Sequence, residues 1–456
     1  MRLLTTSLDF LYNHPIGRMF NDSYCTSAPY DENFYPAAWD SDSYDNRRYT
    51  ERQQTTNNYT SHTDADRVAA TATTLVEADT DCTHGSAHKE LSKCQGAINE
   101  IRELSRCQQM AFNHRIQSER HKQYVLSIPE AKIYRGLLMQ GYLVPNKLMR
   151  KLSRFKCRDS DVFVCTYPKS GTTFCSELTS AIHERANTSK LSRCPLHERV
   201  VHLEIGRPLG QWRHLKGLPS PRLMASHLPL THMPDGVLTT RGTRIIYVLR
   251  NPKDTCVSYY HHHARAKFLG GRQIEWHDFV ELFAAGQLVY GDWYAHVRSY
   301  HQLSVQQSSS ESASDKGKGK ILFVTYEQMI VDLKRVIANV AAFIGVTLSG
   351  HQIDIIEEHC RFDNMRYNPM ANRECTPLTD LFDSTRGKFM RKGQIGDWQN
   401  YFTDEQSRQF DRRFEQRLRH ELNLKLCYTL DEARQMYCSH NYDHDSNNHN
   451  DRLYCS

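Results

Sequence analysis

Residues Asp161 to Phe174 read DVFVCTYPKSGTTF. The apolar half has the length and composition of a buried strand. It runs without a spacer into Pro168, Lys169, Ser170, Gly171, Thr172 and Thr173, and the spacing of apolar residues then predicts a helix over Thr172 to Ala186. Successive backbone N–H groups at a helix start, a glycine, hydroxyls and a cation together form a cradle for a phosphate-like anion. The lysine precedes the glycine instead of following it, so the spacing is not that of a Walker loop and argues against an ordinary ATP or GTP site. A solvated strand-to-helix turn uses the same residue types, and the rest of the chain has to decide between the two.

Outward from this stretch, short apolar runs alternate with amphipathic ones between about Tyr124 and Tyr428. The strand candidates are Asp161 to Tyr167, Pro221 to Ser226, Thr243 to Arg250 and Lys320 to Tyr326. Helices are expected over Pro252 to Ala266, Trp276 to Leu303 and Glu327 to Ile344. This alternation predicts an α/β fold, a single domain built on one parallel sheet. Residues 1–120, rich in Ser, Thr, Asn, Asp and Tyr, form a low-complexity arm expected to be disordered apart from a helix-like stretch over Glu90 to Arg120. Residues 304–320 are expected to form a flexible Ser- and Lys-rich insertion, and 429–456 a disordered tail.

The 456 residues are 39% hydrophobic, and 58 Lys and Arg against 52 Asp and Glu leave a formal charge of +6. That mild excess does not imply a nucleic-acid partner. No apolar run is long enough to span a bilayer, the opening residues lack a secretory pattern, and the expected address is the cytoplasm. The 14 cysteines are scattered without a CxxC pair and are expected to be reduced thiols. His261 to His263 and the histidines between His440 and His449 lack partners at ligand spacing, so no metal site is expected.

The segment TYPKSGTT resembles the 5′-phosphosulfate loop of the cytosolic sulfotransferases. Two more segments resemble that family in the same order: YVLRNPKDTCVSYYHH, Tyr247 to His262, and FMRKGQIGDWQNYFT, Phe389 to Thr403. The linking segments SHLPL, YGDWYAHV and TYEQM are similar too. The resemblance implies a sulfotransferase domain over 124–428, related to P-loop nucleotide kinases. It also implies use of 3′-phosphoadenosine-5′-phosphosulfate (PAPS) to sulfate a hydroxyl or amine of a small acceptor, without a metal.

Site residues follow from the same resemblance. His227 is implied as general base, a role suited to a side chain that titrates near neutrality, and Lys169 as the cation that stabilises the leaving phosphate. The donor nucleotide is expected on Lys169, Ser170, Gly171, Thr172, Thr173 and Phe174, with Arg250 and Ser258 on its 3′-phosphate. Tyr326 and Phe174 are expected at the adenine. Phe389, Met390, Arg391, Lys392 and Gly393 complete the set. Read without the family, Arg250 is equally a surface ion-pair partner and Arg391 to Gly393 a basic loop.

Departures sharpen the expectations. Ala225 stands where the family commonly has a lysine, with Arg222 or Lys253 as candidates to compensate. Cys360 aligns with a threonine expected near the adenine. His202 replaces an aromatic residue of the acceptor pocket, which is expected from RVVHLE and YGDWY, and points to a more polar acceptor. Gln399, Asp404 and Arg408 depart from the family's dimer element, which makes dimerisation through it doubtful. The alternative is a sulfotransferase-like protein that binds PAPS, or its desulfated product 3′-phosphoadenosine-5′-phosphate (PAP), with little turnover.

Overall fold

Val162–Thr166 is the central strand, β3, of a five-stranded parallel sheet, and all five of its residues are buried. The computed structural model describes residues 119–207, 212–270, 274–308, 320–374 and 380–438. On one side β3 pairs with β5 (Leu223–Ser226), which in turn pairs with β4 (Val201–His202); on the other it pairs with β6 (Arg244–Leu249), followed by β7 (Ile321–Thr325). The order is thus β4-β5-β3-β6-β7. Val164 lies opposite both Ala225 and Ile246, and His202 opposite Ala225. A separate hairpin, β1 (Lys132–Tyr134) and β2 (Leu137–Met139), is antiparallel.

Side chains alternate across a strand, so each strand feeds two cores. Phe163, Cys165, Ile245, Tyr247 and Phe323 pack on one face, while Val164, Ile246, Val248, Leu322 and Val324 pack on the other. The helices Pro252–Arg265, Trp276–Ala284 and Trp293–Ser308 contribute to the first core. Thr172–His183 and Leu333–Ile344 contribute to the second, through Cys175, Leu178, Ala181 and Ile182 on one helix and Val336, Ile337, Val340 and Ala341 on the other. Each Leu, Ile or Val among them contributes about 1.5–3 kcal/mol by its burial. Both faces being covered explains why the strands read as continuous apolar runs.

Several boundaries differ from expectation for local reasons. The helix expected over Trp276 to Leu303 is two helices. Between them Gly286, Tyr290 and Gly291 adopt positive φ, and a Cβ on Gly286 would lie 2.6 Å from the Cβ of Asp292. The stretch from Glu327 to Ile344 is also broken, because Asp332 ends Tyr326–Val331 and caps the next helix by accepting from Arg335 N. The helix Trp293–Ser308 runs into the expected insertion as far as Ser308, and 309–319 lie outside the described residues.

The tail is corrected as well. Leu430–Cys438 is a helix whose Ala433 and Tyr437 are buried, and the Tyr437 hydroxyl lies 2.9 Å from Thr325 Oγ1 at the end of β7. Its buried pair, only four residues apart, is too short a pattern to stand out beside the polar residues that follow. At the other end, Glu119–Ser127 is helical with Tyr124 buried, so the last two residues of the expected arm are helical. Residues 1–118 and 439–456, with the second histidine group, lie outside the described residues. Among those described no helix is long and apolar enough to cross a membrane, and Cys157, Cys165, Cys175, Cys256, Cys360, Cys427 and Cys438 are free thiols.

Candidate active site

In a parallel sheet, all the C-terminal strand ends open onto one edge, and ligands bind where the loops there diverge. At this edge His202 ends β4, His227 follows β5, the loop from Pro168 to Gly171 follows β3, Arg250 follows β6 and Tyr326 follows β7. Together they border a cavity of about 640 Å³, a size that suits a nucleotide-sized ligand with room beside it.

The loop after β3 is bent by two positive φ angles, 69° at Lys169 and 113° at Gly171. A Cβ on Gly171 would lie 2.9 Å from the Tyr326 ring, so glycine is required both by conformation and by close approach. The turn presents the start of the helix Thr172–His183 to the cavity. Ser170 differs from its neighbours: it does not line the cavity, and its buried Oγ has no partner among the described residues.

Lys169 carries the site's charge problem. It makes no ion pair with a described residue, and its Nζ lies 4.6 Å from the centre of the Phe389 ring. Burial, and then the charges of Arg265, Arg250, Arg391 and Arg373, push its pKa down to about 7. Asp397 answers Arg391, and Glu374 and Glu177 act on Arg265 and Arg373, but among the described residues no anion pairs with Lys169 itself; holding it among four arginines costs stability, and a bound polyanion would reverse that cost.

Arg250 ties the edge together. Its Nη1 donates to Lys169 O at 3.3 Å and its Nη2 to Gln394 O at 3.2 Å, while its guanidinium carbon sits 4.1 Å from the centre of the Tyr326 ring. Asn251 then caps the helix Pro252–Arg265, with Pro252 in its first turn. Asp254 on that helix accepts from Gly396 N at 2.8 Å and Trp398 N at 3.0 Å, and so fixes the loop that carries Arg391 to Gly393 beside the helix that carries Ser258. Gly393, at φ 67°, packs so closely on Phe362 that a Cβ would fall 2.1 Å from its ring. Arg391 and Lys392 both contact Asp397 at 2.5 Å. Burial alone would raise the Asp397 pKa, but these bonds and that of Asn400 hold it at about 2.

His227 stands at the far end of the cavity. Its backbone N–H donates to Glu204 Oε1 at 2.8 Å, and its Nδ1 lies 3.1 Å from Thr166 O. A carbonyl only accepts, so the contact with Thr166 O favours the tautomer with the proton on Nδ1 and the lone pair on Nε2, and the Thr166 hydroxyl, also 3.1 Å from Nδ1, can accept from it as well. Burial, and next the neighbouring His202, push the pKa of His227 down to about 3. The His202 ring centre is 4.9 Å from that of His227, and Tyr290 is 5.5 Å from it on another side. Tyr290 donates to Glu204 Oε1 at 3.3 Å. Burial opposes the charge on Glu204, but His202, whose Nδ1 lies 3.7 Å from Oε1, and His227, whose backbone N–H donates to it, hold its pKa at about 2.

The cavity therefore gathers Lys169, Gly171 to Phe174, His227, Arg250, Ser258, Tyr326 and Phe389 to Gly393, every expected site residue except Ser170. It also takes His202 and Tyr290 from the two segments expected in the acceptor pocket. Three expectations are displaced. Arg222 is at the opposite end of the sheet, paired with Asp161. Lys253 turns to Ser407 and Asp411. Neither lines the cavity in place of the missing lysine. Cys360 is fully buried in the second core, and it is Phe362, two residues on, that lines the cavity.

Arg265, Arg373 and His262 line it too, beyond the residues expected as its ligands. Ser258, His261, His262 and Arg265 follow the i, i+3, i+4, i+7 spacing of one helical stripe, so for two of the three a sequence signal exists. Arg373 has none: it lies in an irregular segment at φ 62°, donates from Nε to Thr173 Oγ1 at 3.1 Å, and leaves a buried Nη2 without a partner among the described residues. Among those residues no cluster of His, Cys, Asp or Glu could hold a metal.

The model of the sulfotransferase domain matches residues 159–421, so the chain belongs to the sulfotransferase family, whose members transfer sulfuryl groups. Mouse sulfotransferase 1A1 is 38% identical over 266 residues, covering 58% of this chain and 86% of that protein. Rabbit amine sulfotransferase is 34% identical over 304 residues, 66% of this chain and 94% of that one. Among solved structures, a mouse sulfotransferase complexed with PAP aligns at TM-score 0.50 and 27% identity, covering 68% of this chain and 98% of that chain. Retinol dehydratase in complex with retinol and PAP aligns at TM-score 0.56 over 68% and 97% of the two chains, and at 23% identity it speaks for the fold alone.

Proposed function

We propose that this sulfotransferase uses PAPS as donor and sulfates a hydroxyl or amine of a small acceptor bound beside His227. The observation that carries the reading is the unpaired Lys169 crowded by Arg250, Arg265, Arg373 and Arg391 at the C-terminal edge of the sheet. A nucleotide with separate 5′ and 3′ anionic groups would neutralise that edge, and the glycine positions at Gly171 and Gly393 leave room for close backbone approach. The PAP complex of the mouse relative supports the same choice.

Lys169, the N–H groups from Ser170 to Thr173 and the Thr172 and Thr173 hydroxyls would hold the phosphosulfate. Arg250, Ser258 and the Arg391 to Gly393 segment would hold the 3′-phosphate. Phe174, Tyr326 and Phe362 would enclose the adenine. When bound, the donor supplies an activated sulfuryl group. His227 is neutral, with its Nε2 lone pair available to take the acceptor's proton, while Thr166 O holds Nδ1–H and Glu204 holds the backbone. Lys169 offsets charge that builds on the departing phosphate, an effect worth about a hundred to a thousandfold in comparable sites. The expected address remains the cytoplasm.

Transfer of labelled sulfate from PAPS to a panel of phenols, alcohols and amines tests the proposal. Product formed by the wild-type chain and absent with His227→Ala supports it. Tight PAP binding with no transfer to any acceptor would instead identify a nucleotide binder of low turnover.

A further inference from the structure

The helix that presents Ser258 continues along the cavity and ends at Arg265. Three phenylalanine rings surround His262 on this helix: Phe382 at 5.7 Å, Phe268 at 5.9 Å and Phe389 at 6.2 Å between ring centres. Lys169 lies against the Phe389 ring, and the guanidinium of Arg265 lies 5.7 Å from the centre of Phe382. An aromatic chamber thus separates two cations. His262 lines the same cavity as Lys169, His227 and Arg265.

Arg265 is itself short of partners. Among the described residues its buried Nε has no hydrogen-bond partner and its guanidinium no ion pair. Glu374 and Asp383 act on it from a distance, but their oxygens are committed elsewhere. Glu374 accepts from Phe389 N and from Asn372 Nδ2, and Asp383 accepts from Thr385 and Arg386. Burial lowers the Arg265 pKa, and the two carboxylates offset that only in part. A half-buried guanidinium left beside a second cation is costly unless a ligand anion joins it. The groups proposed for the two ends of the nucleotide are already supplied by the loop after β3, Arg250 and the Arg391 segment.

Resting on the sulfotransferase reading, we infer that the acceptor is an organic anion. Its aromatic or apolar body lies in the Phe268, Phe382 and Phe389 chamber, its hydroxyl meets His227, and a carboxylate pairs with Arg265. A planar guanidinium binds a carboxylate through two parallel hydrogen bonds. An acceptor bearing an ammonium group would instead meet the fields of both Lys169 and Arg265. The polar rings of His202 and His262 suit an acceptor with more than one oxygen.

The test uses three phenols that differ in one tail: 3-(4-hydroxyphenyl)propanoate, 4-propylphenol and tyramine. Each is titrated into the full-length chain saturated with PAP, and each is assayed as acceptor with PAPS. The expected result is a kcat/KM for the carboxylate at least about tenfold above the neutral phenol, with the amine lowest. Arg265→Gln should reduce the carboxylate-to-neutral ratio to near one, and Arg265→Lys should restore part of it. The wild-type ratio decides even if a variant fails to fold. Equal or better use of 4-propylphenol or tyramine overturns the anionic acceptor and leaves the sulfotransferase reading in place. Failure of the chain to bind PAP overturns that reading and this inference with it.

Discussion

The two ends of the central sheet handle charge in opposite ways. At the N-terminal end Asp161 and Arg222 are both buried and matched, with Arg222 Nε on Oδ1 at 2.8 Å and Nη2 on Oδ2 at 2.5 Å. The remaining arginine donors reach Leu215 O and Lys156 O. At the C-terminal end Lys169 has no counter-ion among the described residues, and four arginines push on it. Charge that is fully paired inside the chain holds strands in place. Charge of one sign, left crowded at a cavity, is kept for something that arrives. The same contrast explains why Arg222 cannot replace the lysine missing at Ala225: a sheet's length and a buried carboxylate separate it from the chemistry.

The comparison can be broken in graded ways. The largest effect is expected from His227→Ala, which should reduce transfer by about a hundred to ten thousandfold while the PAP dissociation constant, read by calorimetry, stays within a few fold. Equal loss of both would remove His227 from the base role. Next, Arg222→Met should cost about 3–5 kcal/mol of stability in urea unfolding, because it strands a buried Asp161 carboxylate. A variant of full stability whose PAP binding is abolished would contradict the division between the two ends.

Arg250→Ala should raise the PAP dissociation constant by about tenfold or more, as charge-assisted hydrogen bonds of about 1.5–3 kcal/mol are lost; an unchanged constant would take it out of the clamp. The smallest effects are in pH dependence. With its pKa held at about 3, His227 is already neutral at pH 5 and loses base function only as pH falls toward 3. The pH profile of kcat/KM should then lack an acid limb near 6.5, and finding one there would refute the shift. Lys169, at about 7 in the free chain, is mostly deprotonated at pH 8. A bound anion raises its pKa, so PAP binding at pH 8 should take up protons, measured as a dependence of binding heat on the buffer's ionisation enthalpy.

Much of this edge is legible in the amino-acid sequence. The loop from Pro168 to Thr173 is local, with strand, turn and helix contiguous along the chain, and the loop from Arg391 to Gly393 carries its own glycine. What is not legible comes from distance and irregularity. Arg373 reaches Thr173 across 200 residues from a left-handed position, which no periodicity signals. Phe362 is revealed only by its packing on Gly393. His261 to His263 form one cluster in sequence, yet a helix divides them. His261 and His262 line the cavity, whereas His263 turns into the core and lies 2.9 Å from the Tyr124 hydroxyl. The break at Gly286 to Gly291, which brings Tyr290 beside His227, depends on positive φ angles that an apolar pattern does not encode.

The central claim is that the crowded cations at the C-terminal edge form the site of a 3′-phosphorylated nucleotide. Isothermal titration of PAP into the purified chain, with ADP and Mg²⁺-ATP as controls, tests it most directly. The account predicts saturable binding of PAP at least about tenfold tighter than either control, since only PAP presents a phosphate to Arg250 and the Arg391 segment together with one to the Lys169 loop. Equal binding of all three nucleotides, or no binding of PAP by folded protein, would contradict it.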